Sequence, residues 1–72
     1  MKIYIQLLNE GTKVYRPVPA IMIENCIYKV KGEDIYDPDT EEWEFLPGTI
    51  VIVEEQFLSE EYVLVAIKEV LS

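Results

Sequence analysis

The 72-residue sequence predicts an all-β, mainly antiparallel domain, either a small barrel or a strongly twisted sheet of five to six strands. Three observations carry that expectation. Segments rich in Val, Ile and Tyr recur along the chain, and several alternate in polarity with period two. Turn-forming residues punctuate the chain at 9–12, 37–40 and 47–48. Only the last segment has a pattern that a helix would also satisfy.

Lys2 to Leu8 forms the first strand, with Ile3, Ile5 and Leu7 on one face and Tyr4, Gln6 and Leu8 on the other. Asn9-Glu10-Gly11-Thr12 is a turn. The second strand runs from about Lys13 to Ile23 and contains Pro17 and Pro19. Successive N–H groups of an extended chain point to opposite edges, so these prolines remove two donors from the same edge. That edge should be unpaired, or the strand should bend there. The functional alternative is a polyproline-like segment offered to a partner. Glu24-Asn25 is a plausible two-residue hairpin loop before a third strand, Cys26 to Lys31. Cys26 itself reads as a small buried hydrophobe.

Lys31 to Glu42 is polar, and Asp37-Pro38-Asp39-Thr40 has a type I turn signature. A short strand, Trp43 to Leu46, precedes Pro47-Gly48, which suits a type II turn because glycine accepts positive φ at the third position. Thr49 to Leu58 contains Ile50-Val51-Ile52-Val53, a continuous β-branched run that predicts a strand buried on both faces. Ser59-Glu60-Glu61 is the next turn, and Tyr62 to Val70 closes the chain. Ser59 would cap a helix with Val63, Ala66, Ile67 and Val70 as its stripe. The alternation of Val63, Val65 and Ile67, all β-branched, favours a last strand instead, with a C-terminal helix as the alternative.

Composition limits the function. Residues 1–72 make one small domain, which buries only about 60% of its unfolded surface and so has a thin core. One cysteine closes no intrachain disulfide, and without histidine neither a zinc site of usual ligands nor a triad or Cys–His dyad can be built. The three glycines stand alone at turns, so no phosphate-binding loop is recognisable. Asp37-Pro38-Asp39-Thr40-Glu41 looks like the start of a calcium loop. The sixth and twelfth positions, however, hold Glu42 and Gly48 where that loop needs Gly and Glu. No enzymatic activity, cofactor or metal is therefore expected.

Fourteen acidic residues stand against six basic ones, a net charge of −8 that disfavours generic binding to a phosphate backbone. No run approaches the ~20 apolar residues that span a bilayer, and the apolar start of the chain is too short for a secretory signal. With a single cysteine, the expectation is a cytoplasmic protein with no membrane partner.

Glu10-Gly11-Thr12, Val14, Arg16-Pro17-Val18, Tyr36-Asp37-Pro38, Trp43-Glu44-Phe45 and Pro47-Gly48 resemble a pattern of small uncharacterised bacterial proteins, over roughly positions 1–56. That resemblance implies no activity. The order of a strand, a turn with Gly, a long bent strand, a hairpin and a strand introduced by Pro-Gly is similar to SH3-like and KOW-like small barrels. It implies a fold but no function, since such barrels host many.

From Glu33 to Glu44 there are seven acids and no base, interleaved with aromatics. In SH3-like barrels, aromatics beside an acidic loop recognise prolines or cationic side chains. The candidate partner-binding residues are thus Tyr36, Asp37, Asp39, Glu41, Glu42 and Trp43, in a non-catalytic protein-interaction module with a basic or apolar partner. The plainer reading is a solvated loop, with Trp43 and Phe45 sharing one strand face and filling the core. One rival is an acidic inhibitor or immunity-type protein occupying a basic, nucleic-acid-binding partner. Another is nucleic-acid binding through Lys13, Arg16, Lys29 and Lys31, opposed by the field of the whole domain. A homodimer through the C-terminal strands is expected as well. Ile50 and Ile52 lie opposite Val51 and Val53, and one core covers only one face of each strand. The competing outcome is a closed barrel, with the acidic loop over one end and the second faces packed inside.

Overall fold

The computed structural model describes residues 1–70 and contains six strands and, among those residues, no helix. They are β1 (Lys2–Leu8), β2 (Val14–Glu24), β3 (Ile27–Val30), β4 (Glu42–Trp43), β5 (Ile50–Leu58) and β6 (Glu61–Glu69). Hydrogen bonding runs β1–β2–β3–β5–β6 and returns to β1, so five strands close a ring. All neighbours are antiparallel except β6 and β1, which meet in parallel at Tyr4 and Val65. β4 adds two residues to the same β1, opposite Leu7 and Leu8. Closure leaves few unpaired strand edges in a domain too small to cover them otherwise.

The core lies inside this ring. Ile3, Ile5 and Leu7 from β1 meet Val18 and Ala20, Tyr28 and Val30, Val51 and Val53, and Ala66. Alternation along β1 is as the sequence predicts, because one face of a barrel strand is inside and the other outside. The β-branched run of β5 is a correction: Val51 and Val53 are buried, whereas Ile50 and Ile52 are only half-buried. A five-stranded ring has one interior, and among the described residues no second layer covers its outer face.

The prolines behave as the donor argument requires. The Ala20 N–H donates to the Met1 carbonyl at 2.7 Å, so the even-numbered residues of β2 face β1. The nitrogens of Pro17 and Pro19 therefore point to the other edge, from which β3 has already departed: β3 reaches only as far as Ala20, and Lys31 N–H takes the Pro19 carbonyl at 2.9 Å. β2 thereby serves β1 with its first half and β3 with its second, turning a corner of the barrel.

The turns differ in detail. The β2–β3 loop is Asn25-Cys26, one residue later than expected, with Cys26 at φ 67°. A bulge between Met22 and Glu24 absorbs the offset. Cys26 is exposed at the loop tip, because its carbonyl bonds Val53 N–H (2.9 Å) while its side chain points out of the ring. Thr40 N–H donates to the Asp37 carbonyl at 3.1 Å, closing the turn at 37–40. Gly48 has φ 96°, and Thr49 N–H closes on Leu46 at 3.1 Å, the type II geometry that needs glycine third. The fourth strand is shorter than its expected four residues, since only Glu42–Trp43 finds a partner strand. The last segment is a strand, not a helix, with a bulge at Ile67; Ala66 is buried opposite Val53, and Val65 is buried where β6 meets Tyr4 of β1. Ser59-Glu60 forms a two-residue hairpin loop with both residues at positive φ, 49° and 68°. No helix of the described residues is long and apolar enough to cross a membrane.

Candidate functional site

The acidic loop folds over one end of the barrel as a cap. Trp43 is its anchor, at 1% exposure, and Tyr36 meets it edge-on with ring centroids 4.8 Å apart. Gly32 passes so close that an added Cβ would sit 3.1 Å from the Trp43 ring. One oxygen of Glu41 then accepts twice, from Trp43 Nε1 at 3.0 Å and from Arg16 Nη1 at 2.9 Å. The Arg16 guanidinium carbon lies 5.9 Å from the Trp43 ring centre. Arg16 belongs to the inward-facing positions of β2, and this cluster gives it a counter-charge at the mouth of the barrel. Its buried Nε has no partner among the described residues.

The other candidate residues of this loop serve mainly the loop. Asp37 accepts from Asp39 N–H through Oδ1 at 2.9 Å, and its carbonyl accepts from Thr40 Oγ1 at 3.0 Å. Glu42 accepts from Asn9 Nδ2 at 2.6 Å, tying the loop to the β1–β2 turn. The six predicted residues are thus brought together, but Trp43 is beneath the surface and offers no ring to a partner. Its burial, with Phe45 packed against the same core, agrees with the core-filling reading. Nearby, Glu33 titrates below the usual glutamate range, first because backbone N–H donation stabilises its carboxylate, then through the Lys31 ammonium at 3.2 Å.

A second arrangement of aromatics and acids lies elsewhere. Beyond Val53, β5 and β6 continue as a hairpin arm paired from Glu54–Val65 to Leu58–Glu61. At its tip Phe57 stacks on Tyr62, directly across the strands, with centroids 5.0 Å apart and planes inclined by 23°. Both rings are open to solvent, 58% and 69% exposed. Four exposed glutamates lie on the same arm: Glu55 shares the ribbon face of Phe57, Glu60 sits in the loop, and Glu54 and Glu61 occupy the opposite face. The sequence held the signal: a two-residue loop at Ser59-Glu60 makes Phe57 and Tyr62 cross-strand partners. Reading the turn as three residues hid that register.

The concave outer side of the same arm faces β1 and β2 across a cleft of about 520 Å³ lined by Tyr4, Lys13, Tyr15, Gln56, Leu58 and Ser59. Among the described residues, Lys13 is the one charged group lining it. Tyr15 and Tyr28 do not pair with each other; they lie opposite Gln6 and Met22 respectively. No group of three or more metal-ligating side chains occurs among the described residues. No protein-family model, curated protein or solved structure matches the chain.

Proposed function

We propose that this domain is a non-catalytic protein-interaction module that holds a basic partner with the tip of its β5–β6 hairpin. The exposed Phe57–Tyr62 stack, on an arm that also carries four exposed glutamates, is the observation that carries the reading. Two large rings left in water on a small domain are unfavourable unless something covers them, and aromatic side chains supply much of the energy of protein interfaces. The ring faces attract an arginine or lysine head by cation–π contact, and the carboxylates of Glu55 and Glu60 on the same arm add charge complementarity. The net charge of −8 steers a basic partner toward the whole domain, and the tip is where that partner finds apolar contact.

The test is capture from a cell lysate by the immobilised domain, at about 0.15 M and about 1 M salt, beside a Phe57→Ser/Tyr62→Ser variant. A basic protein retained at low salt, released at high salt and lost with the variant supports the reading. An identical set of captured proteins on both, with the variant's circular dichroism unchanged, refutes it. The same −8 charge favours one second reading, an acidic inhibitor seated in a nucleic-acid-binding groove. Displacement of the captured protein by added RNA or DNA would distinguish it.

A further inference from the structure

The outer face of the barrel opposite the β1–β2 pair carries an ordered pattern of side chains. Cross-strand register places Ile21 of β2, Lys29 of β3 and Ile50 of β5 in one row. Val70 extends that row through its N–H bond to the Ile50 carbonyl, at 2.8 Å. A second row runs Glu24, Ile27, Ile52, Lys68. These residues point outward because the row between them holds Tyr28 and Val51, which point into the core. Five of the eight outward positions are Ile or Val. Ile21 remains 54% exposed, and Ile23 and Ile67, at the neighbouring bulges, remain 51% and 45% exposed.

From this pattern we infer that the β2–β3–β5–β6 outer face is a self-association surface that receives a second copy of this chain, related by a two-fold axis parallel to the strands between β3 and β5. Such an axis lays β2 over the partner's β6 and β3 over the partner's β5. Glu24 then faces the partner's Lys68 at both margins, and Ile27 faces the partner's Ile52 near the axis. Ile21 faces the partner's Val70. Lys29 lies along the partner's Ile50 with its methylene stem, while its ammonium reaches the rim. No like charges face each other in this register.

The alternative in-plane axis, perpendicular to the strands, is worse. It sets Ile21 against Glu24 and Val70 against Lys68, burying each charge on an aliphatic side chain. Two sheets packed face to face keep their strands within roughly 30° of each other, which preserves the first register close to the axis. The long-range field favours the same face. Glu24, Lys29 and Lys68 sum to a slightly positive patch on a chain of net charge −8, so two copies repel least when they approach there.

The patch is four strands wide, about 15 Å between its outer strands, and two rows deep. That extent belongs with small interfaces, below about 1,200 Å² in total, which form weak and reversible complexes. The surface shares no residue with the hairpin tip, so either reading can fail without the other.

Sedimentation velocity from about 10 to about 500 µM, the range in which a small interface populates its dimer, tests the inference. Wild type should move from the 8.4 kDa monomer toward twice that mass across the series. Glu24→Lys and Lys68→Glu alone should each lower self-association at least tenfold, since each places like charges at both margins. An equimolar mixture of the two single variants, and the Glu24→Lys/Lys68→Glu double variant, should both recover it. Tyr62→Ser should leave it unchanged. A monomer mass throughout the wild-type series overturns the inference. So does association that ignores the single substitutions, a mixture that fails to recover, or loss of association with Tyr62→Ser.

Discussion

Replacing Glu41 tests how the cap is held. Its Oε1 takes hydrogen bonds from Arg16 Nη1 and from Trp43 Nε1, so the residue serves a charge and a buried indole at once. Glu41→Gln removes the charge but keeps an acceptor and the volume. The ion pair is partly open to solvent, with side-chain exposures of 38% and 19%, so its loss should cost about 1 kcal/mol, near the upper end for exposed pairs. Glu41→Ala also leaves the Trp43 N–H without its acceptor under the cap, and a buried unsatisfied donor adds about 1–3 kcal/mol. The total is then about 2–4 kcal/mol. Against a whole-domain stability of about 4–11 kcal/mol for 72 residues, this is a large fraction. Melting should fall by about 4–8 °C for Gln and by at least about 8 °C for Ala. Trp43 is the only tryptophan, so urea unfolding followed by its fluorescence reports the cap directly. The midpoint should drop in the order wild type, Gln, Ala with an unchanged slope. Equal midpoints for Gln and Ala would refute the double-acceptor argument.

Three further outcomes follow from local geometry. Ser59 and Glu60 both sit at positive φ, where Asn-Gly is the favoured pair, so Ser59→Asn/Glu60→Gly should gain about 1 kcal/mol in a thermal melt; a lower melting temperature contradicts the turn assignment. Gly32→Ala and Gly48→Ala both strain a positive-φ backbone, but only at Gly32 does the new Cβ meet Trp43 at 3.1 Å and Ile35 at 3.3 Å. Gly32→Ala should therefore be the more damaging by about 1–3 kcal/mol in chemical denaturation, and equal losses would contradict the close contact. Glu33 has a lowered pKa, so whatever stability it contributes is present above its unfolded pKa and lost as pH falls through the folded one. Lys31→Ala should raise the Glu33 pKa while leaving it below the ordinary range, because backbone donation is the larger cause; a carboxyl-detected NMR titration reads this.

Much of the fold was legible because it depends on local rules. Ile3, Ile5 and Leu7 alternate because β1 has one inner face, and Pro47-Gly48 turns as its φ preferences demand. Pro17 and Pro19 marked the strand that changes partners, since a missing N–H is a property of the residue itself. The site was less legible. The aromatics and acids adjacent in sequence, Tyr36 to Trp43, became a cap whose tryptophan faces inward. The pair left open, Phe57 and Tyr62, is separated by four residues and joined only by hairpin register. A shift of one residue in the turn moves every cross-strand pair, so this neighbourhood was the most sensitive to a small error.

By itself the sequence determined the β class, a count of five to six strands, the turns at 37–40 and 47–48 and an acidic, histidine-free chemistry. These follow from side-chain branching, backbone φ preferences and ionisable groups, which each residue carries regardless of its neighbours. The tertiary structure alone decided that the last strand pairs in parallel with the first, closing the ring. It also decided which half of each β-branched strand faces out: Val51 and Ile52 are almost the same in hydrophobicity, yet one is fully buried and the other is not. Hydrophobicity states that a side chain prefers burial, but only strand register and ring closure set which of two equal candidates receives it.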